Sequence, residues 1–307
     1  MNVPTRAVAD RTAEVQLPRD VGDNPLRARY ARRVSRVEPG LLPALLRHFR
    51  NRRGLSQLDL ALAAEISARH LSFLETGRAQ PSREMVLRLG GTLGLSLRDQ
   101  NALLRAAGFD ATFAEPGLSD GMPESVTRAI TRMLARQEPF PMVVLDRCYN
   151  VLERNVATRR LLSRVIADPT ALPGRPNMLR VLFDPRLARG AVVDWERTAR
   201  TLVSRIHREL LARPGDTELA ALVRSLFELP DVPPGFRQPD LSVPSEPTVV
   251  LRLRVEGVEL AFLSTVTAFS APQNVTLDEL RIESYFPLDE ATARACERFA
   301  EASAETA

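Results

Sequence analysis

The chain contains no lysine: all 42 of its basic residues are arginine. That excludes a phosphate-loop lysine, a Schiff base and a lysine general base. Cysteine is nearly as scarce, with Cys148 and Cys296 far apart in 307 residues, and there are three histidines. Neither a disulfide framework nor a zinc-ligand spacing can be built from so few, so no metal is expected. No apolar run approaches the roughly 18 residues of a membrane span. The first 40 residues lack the apolar central block of a signal peptide, and a cytoplasmic protein is expected. Acids are plentiful, but Asp278–Glu279 and Asp289–Glu290 are chain neighbours that face differently, not general-acid pairs. There is no glycine-rich phosphate loop and no nucleophile beside a base. Nothing nominates an enzyme or calls for a cofactor.

What is present is globular, 44% hydrophobic and 26% charged, and long enough for two domains. Charge is uneven along it. Residues 1–40 carry 8 arginines against 5 acids, 41–115 carry 10 against 7, and 116–307 carry 24 against 26. A mildly basic front on a slightly acidic body suits a polyanionic partner for the front alone.

Residues 41–109 hold the densest local signals. Ser56-Gln57-Leu58-Asp59 is a capping box that opens a helix, followed by Leu60, Ala61 and Ala64 at helical spacing. Ile66 supplies the next turn's core contact, Ser67 caps a third helix with Leu71 and Leu74 inward, and Gly77 ends it. Ser82 behind Pro81 starts a fourth, and Ser96-Leu97-Arg98-Asp99 is a second capping box for a fifth that closes at Gly108. Leu58 and Leu62 lie four apart on a face that the core does not need. They form either an outward docking stripe or, if the helix is rotated, part of the core.

The order Leu-Ser-Gln, Ser-x-x-x-Leu, Leu-Glu-x-Gly-Arg resembles the lambda-repressor-like helix-turn-helix regulators of bacteria. The resemblance implies that the third helix enters the major groove of a double-stranded DNA operator while the second crosses the backbone. By position it assigns base-edge contacts to Ala68, Arg69, His70 and Phe73, with Ser67 at the helix start, and phosphate contacts to Gln57 and Arg78. Arg69 alone has an obvious code, a bidentate fork to guanine. Glu65 departs from the pattern, which more often has glycine in the turn; a left-handed glutamate is strained, so a differently built turn is expected. His48, on the first helix, is either a phosphate contact or a solvated residue.

Around this segment, residues 1–39 show no hydrophobic period and a cluster of arginines from Arg27 to Arg36, read as a mobile basic tail. The tail is either a phosphate-tracking arm or a merely solvated start. Residues 111–122 read as a linker. From 123 onward the pattern predicts a helix to 137 and a hairpin, PMVVLD and YNVLERN across Asp146-Arg147-Cys148. Further helices are expected over 156–165, within NMLRVLFDP, over a long stretch capped by Asp194, and over 217–229. Residues 230–247, with six prolines, predict an irregular crossing. Alternation then marks strands at 249–255, 258–269 and 280–286, the last with Phe286 inward, before a closing helix over 289–302. His207 is expected at the surface; Cys148, in a turn beside Arg147, could expose its thiol, but reads as an incidental cysteine rather than a redox sensor.

Two strands, a helical insert and three strands resemble a PAS-type sensor. Together with the front, the segments PSREMVLRL, LRDQNALLRAAGF, PMVVLDRCYNVLERN, NMLRVLFDP and DWE resemble the MmyB-like transcription regulators. The fold class expected is therefore α+β. It joins an all-α five-helix domain over 40–110 to an antiparallel PAS-like sheet with inserted and flanking helices over 123–307, the second serving ligand binding and dimerisation. The resemblance implies a small apolar, fatty-acid-like ligand; a homodimer on a repeated site is the expectation for a helix-turn-helix regulator. By pattern, the inward candidates are Met142, Val144, Val151, Met178, Leu182, Phe183, Trp195, Leu253, Phe262 and Phe286, with Asn155, Ser264 or Thr265 to orient a ligand head. The rival to a sensor is a protein-interaction module without a small-molecule ligand.

Overall fold

The computed structural model describes residues 41–118, 121–172, 174–213, 216–239 and 249–301. The basic tail over 1–39, residues 119–120 of the expected linker, residues 240–247 of the proline-rich crossing and residue 302 of the expected closing helix lie outside them. The chain divides into two units, one running to Ala111 and one from Thr112, with Ser96–Arg98 counted in the second.

The first unit is helical: α1 (Leu41–Arg52), α2 (Gln57–Ala63), α3 (Ala68–Glu75), α4 (Arg83–Thr92) and α5 (Leu97–Ala106). The caps read at Ser56, Ser67 and Ser82 are made. Ser56 Oγ accepts from the Asp59 N–H at 3.1 Å while the Ser56 N–H donates to Asp59 at 2.8 Å. Ser67 and Ser82 accept from the N–H groups of His70 and Met85. Each bond satisfies a donor that the first helical turn leaves open. Leu46, Leu60, Leu71, Leu74, Leu93, Leu103 and Leu104 form the core. Glu65 is left-handed at φ 54°, so the turn keeps the family's backbone despite the strain rather than being built differently, and Gly77 ends α3 at φ 73°. Leu58 and Leu62 point outward, 57% and 69% exposed, so α2 is not rotated to bury them.

The second unit runs α6 (Glu124–Arg136), β1 (Met142–Leu145), β2 (Val151–Arg154), α7 (Val156–Val165), α8 (Met178–Phe183), α9 (Trp195–Ala212), α10 (Thr217–Phe227), β3 (Val249–Val255), β4 (Val258–Thr267), α11 (Val275–Glu279), β5 (Arg281–Pro287) and α12 (Glu290–Glu301). The five strands form one antiparallel sheet in the order β2-β1-β5-β4-β3. Helices α7 to α10 sit between the first two strands and the last three, the α+β arrangement expected. Helix α11 falls between the strands expected at 258–269 and 280–286; Asn274 caps it by accepting from the Leu277 N–H at 2.9 Å.

The central sheet divides two cores. Val143 and Leu145 pack with residues of α7 to α10 and with Leu251, Leu253 and Phe262. Met142 and Val144, alternating with them, pack on the opposite face with Ile130, Leu277, Leu280 and Ile282. Strand β1 is buried on both sides because it pairs with β2 and β5 while helices cover both its faces.

Four expectations are corrected. Asp194 is the residue before α9 but is left-handed at φ 51° and makes no side-chain cap. His207 is buried, 6% exposed, because α9 turns that face towards α10 and Phe227. Cys148 is also buried, at 3%. The turn carrying it is closed over by the start of α8, where Asn177 Nδ2 donates to the Cys148 carbonyl at 2.7 Å. Phe286 is 42% exposed: its strand keeps Ile282 to Tyr285 buried on both faces and then emerges at the sheet's open end.

Candidate nucleic-acid interface and sensor core

Helix α3 offers one edge to solvent. Ser67 and Arg69 are exposed, His70 and Phe73 half-buried, and Arg78 exposed just beyond Gly77. Ala68, half-buried, packs against the core, so its reach outward is the shortest. The Arg69 guanidinium lies over the Phe73 ring, 5.3 Å from its centre. That cation–π pair, one helical turn apart, limits the rotamers of the side chain with the bidentate guanine code.

Beneath this edge lies a feature that residue spacing does not disclose. Glu75, at the end of α3, is 1% exposed and accepts two bonds from Arg50 of α1, at 2.7 and 2.9 Å. Arg50 donates a third to the Leu55 carbonyl at 2.8 Å. The Gln57 amide nitrogen donates to Glu75 at 2.8 Å. One carboxylate thus ties together α1 and the start of α2 at the end of α3. The hydrogen bonds that Arg50 donates to Glu75 hold the Arg50 pKa above its ordinary value. The visible signal was the Leu-Glu-x-Gly-Arg string; the partner, 25 residues earlier, carried none. His48 is exposed on α1, its ring edge-on to Phe49 at 5.4 Å.

In the second unit the ten ligand candidates do not converge. Met178, Leu182, Phe183, Trp195, Leu253 and Phe262 gather on the helical side of the sheet, as does Val151. The Phe183 and Trp195 rings meet edge-on at 5.6 Å, and Trp195 Nε1 donates to the Leu182 carbonyl at 2.7 Å. Met142 and Val144 belong to the opposite core, and Phe286 to neither. Asn155 is spoken for: its Oδ1 accepts from the N–H groups of Met142 and Thr158, both at 3.0 Å, and its Nδ2 donates to the Phe140 carbonyl at 2.8 Å. It caps α7 and fixes that helix to β1. Ser264 is buried and Thr265 half-buried on adjoining positions of β4, and so on opposite faces.

The helical side also buries ions. Glu209 of α9 accepts from the Tyr149 hydroxyl at 3.0 Å and from Arg281 of β5 at 2.9 Å, and the Arg281 guanidinium sits 4.7 Å from the Tyr149 ring centre. Desolvation pushes the Tyr149 pKa up, Arg281 opposing it, so the phenol keeps its proton to donate. Burial likewise pushes the Cys148 thiol up to about 12, against the pull of the Arg147 charge. That is the opposite of a reactive thiolate. A groove of about 610 Å³ opens between α9 and α10, and none of the ten candidates lines it. Among the described residues, no helix is long and apolar enough to cross a membrane, and no three His, Cys, Asp or Glu side chains are grouped to hold a metal ion.

Comparison with known proteins adds three findings. Residues 126–299 match the family described as MmyB-like transcription regulator ligand binding domain, and residues 41–104 match a helix-turn-helix domain family. The HTH-type transcriptional regulator DdrOP3 of Deinococcus deserti is 34% identical over 101 residues, covering 30% of this chain and 78% of that protein. A solved structure of an RNA-binding Light-Oxygen-Voltage receptor aligns over 92% of this chain and 69% of its own, at 14% identity and a TM-score of 0.24, too low to bear on fold or function.

Proposed function

The chain belongs to the MmyB-like transcription regulators, and from that premise we propose how it reads DNA and what its second domain senses. A DNA-binding transcription regulator with a ligand-binding domain is the coarse function. The finer reading is a homodimer on a repeated operator, with α3 of each protomer in the major groove. Half-sites then lie about 34 Å apart, or a multiple of it. Arg69 reads guanine, Phe73 holds its guanidinium in place, and Arg78 contacts phosphate. The observation that carries this reading is the stacked, exposed Arg69 on a helix whose far end is locked by Glu75. The exposed pair Leu58 and Leu62 supports self-association. A small apolar ligand, fatty-acid-like in the reading the resemblance implies, binds one arrangement of the second domain better and shifts the spacing of the two recognition helices. The protein's role is regulation, not catalysis.

The test is operator selection from a random duplex pool, followed by binding of variants. Arg69→Ala relaxes preference at one base position, losing about 1–3 kcal/mol of discrimination there. Arg78→Ala weakens all sequences evenly and reduces the salt slope by about one. An Arg78→Ala variant with altered base preference and an Arg69→Ala variant without it reverse the assignment.

One observation favours a second reading, in which the second domain docks a protein. Val250 and Phe286 are exposed and stand in register either side of Leu263 on the outer face of the sheet. Native mass spectrometry of purified protein separates the two: a retained small molecule supports the sensor, a retained polypeptide the docking module.

A further inference from the structure

The groove between α9 and α10 has features of its own. Its floor is apolar, formed by Leu210, Ala220, Val223 and Phe227. At about 610 Å³ it falls within the range of small-molecule sites. His207 reaches it from α9, 6% exposed, and among the described residues its Nδ1 has no hydrogen-bond partner. A buried polar atom left without a partner is costly, so natural structures rarely keep one without a reason. Burial also lowers the His207 pKa, which favours a neutral ring. The His207 and Phe227 rings are 5.9 Å apart and tilted 56°, an aromatic ledge along one wall. The charged lining groups Arg224, Glu228 and Arg237 are exposed, where water screens them.

We propose that this groove binds a compact apolar molecule carrying one hydroxyl, phenol- or alcohol-like, with that hydroxyl bonded to Nδ1 of His207. The inference rests on the sensor reading, names the place, and puts an uncharged hydroxyl-bearing molecule where the resemblance implies a fatty-acid-like one. A neutral imidazole presents at Nδ1 either a lone pair or an N–H, according to tautomer, and a hydroxyl serves both. A carboxylate only accepts and an ammonium only donates, and each brings a charge to an apolar floor. A plain hydrocarbon fills the groove but leaves the nitrogen unpaired.

The experiment is calorimetric titration of the full chain with 4-butylphenol and with butylbenzene, which share shape and differ in the hydroxyl. The phenol is expected to bind roughly tenfold more tightly. In His207→Phe the two probes bind within about twofold of each other, with the hydrocarbon little changed. Leu211, at the groove's exposed edge, takes a polar substitution without disturbing the core, and Leu211→Gln weakens both probes about fivefold. Equal affinities for the two probes in the parent chain, a hydroxyl preference that survives His207→Phe, or no binding of either overturns the proposal.

The site and the sensor reading fail differently. If a molecule that co-purifies with the chain is retained equally by Val223→Trp, whose indole fills the groove, the site falls and the sensor stands. If the probes bind as expected while operator affinity ignores them and every retained small molecule, the sensor reading falls and the site stands.

Discussion

Glu75 is the residue on which the DNA-binding unit turns. Its carboxylate is almost wholly buried and answered by Arg50 and Gln57, so removing it strands a cation at a helix junction. Glu75→Ala is expected to cost about 3 kcal/mol, since breaking a buried pair costs more than the pair itself contributes. Urea unfolding of the full chain, followed by far-ultraviolet dichroism, measures it. Cys148 yields the opposite kind of prediction, inertness. With the thiol buried and its pKa pushed up to about 12, disulfide reagents should modify it in the folded protein far more slowly than in urea. Both residues mark where reading a sequence stops. Glu75 stood in a recognisable string, but Arg50 is one arginine among ten in that stretch, and nothing local singles it out. Cys148 lies in a turn, which suggests exposure; the contact that buries it comes from Asn177, 29 residues on.

At the scale of elements, what was legible was mostly local. Capping residues act on backbone groups three positions away, so Ser56, Ser67 and Ser82 could be placed from the sequence alone. Period-two alternation located the strands, but it does not say which alternate set faces which core. That is why Met142 and Val144 were grouped with Phe262, from which the sheet separates them. Asp194 shows how a cap can mislead: the residue type and position were right, but its left-handed backbone makes no side-chain bond to α9. Asn155, read from the sequence only as a group to orient a ligand head, caps α7 and joins it to β1 through the Met142 N–H. Asn155→Ala should therefore exceed an ordinary cap loss, costing about 2–3 kcal/mol by chemical unfolding. On α2, Leu58→Ser with Leu62→Ser should leave the melting temperature within a few degrees while weakening self-association in sedimentation velocity. A melted first unit would show that the two leucines stabilise the helix rather than a partner.

For the whole molecule, acidity is a direct probe. His207 has its folded pKa lowered below the usual 6.5, so the unfolded chain takes up that proton first. Stability from this group is full above about pH 6.5 and falls as pH drops towards the folded value. Asp184 acts in a lower window. The Arg186 side chain hydrogen-bonds it and lowers its pKa from the usual 3.8, so its contribution holds above that value and is lost as pH falls through the folded one. Thermal midpoints should decline in two steps on acidification, and His207→Phe should abolish the upper step. The division into a helical front and a sheet-bearing body was legible from motifs. The two-core construction of the body was not, because it depends on long-range strand pairing.

That construction gives the protein two internal reporters one residue apart. Val143 and Val144 are sequence neighbours, yet each faces a different solvent-free compartment. With valine methyls labelled for magnetic resonance, a molecule entering on the helical side should move the Val143 signals and leave those of Val144 in place. A change reaching the sheet from the side of α6 should do the reverse. Adjacent residues would then tell, without any mutation, from which direction a signal enters the domain.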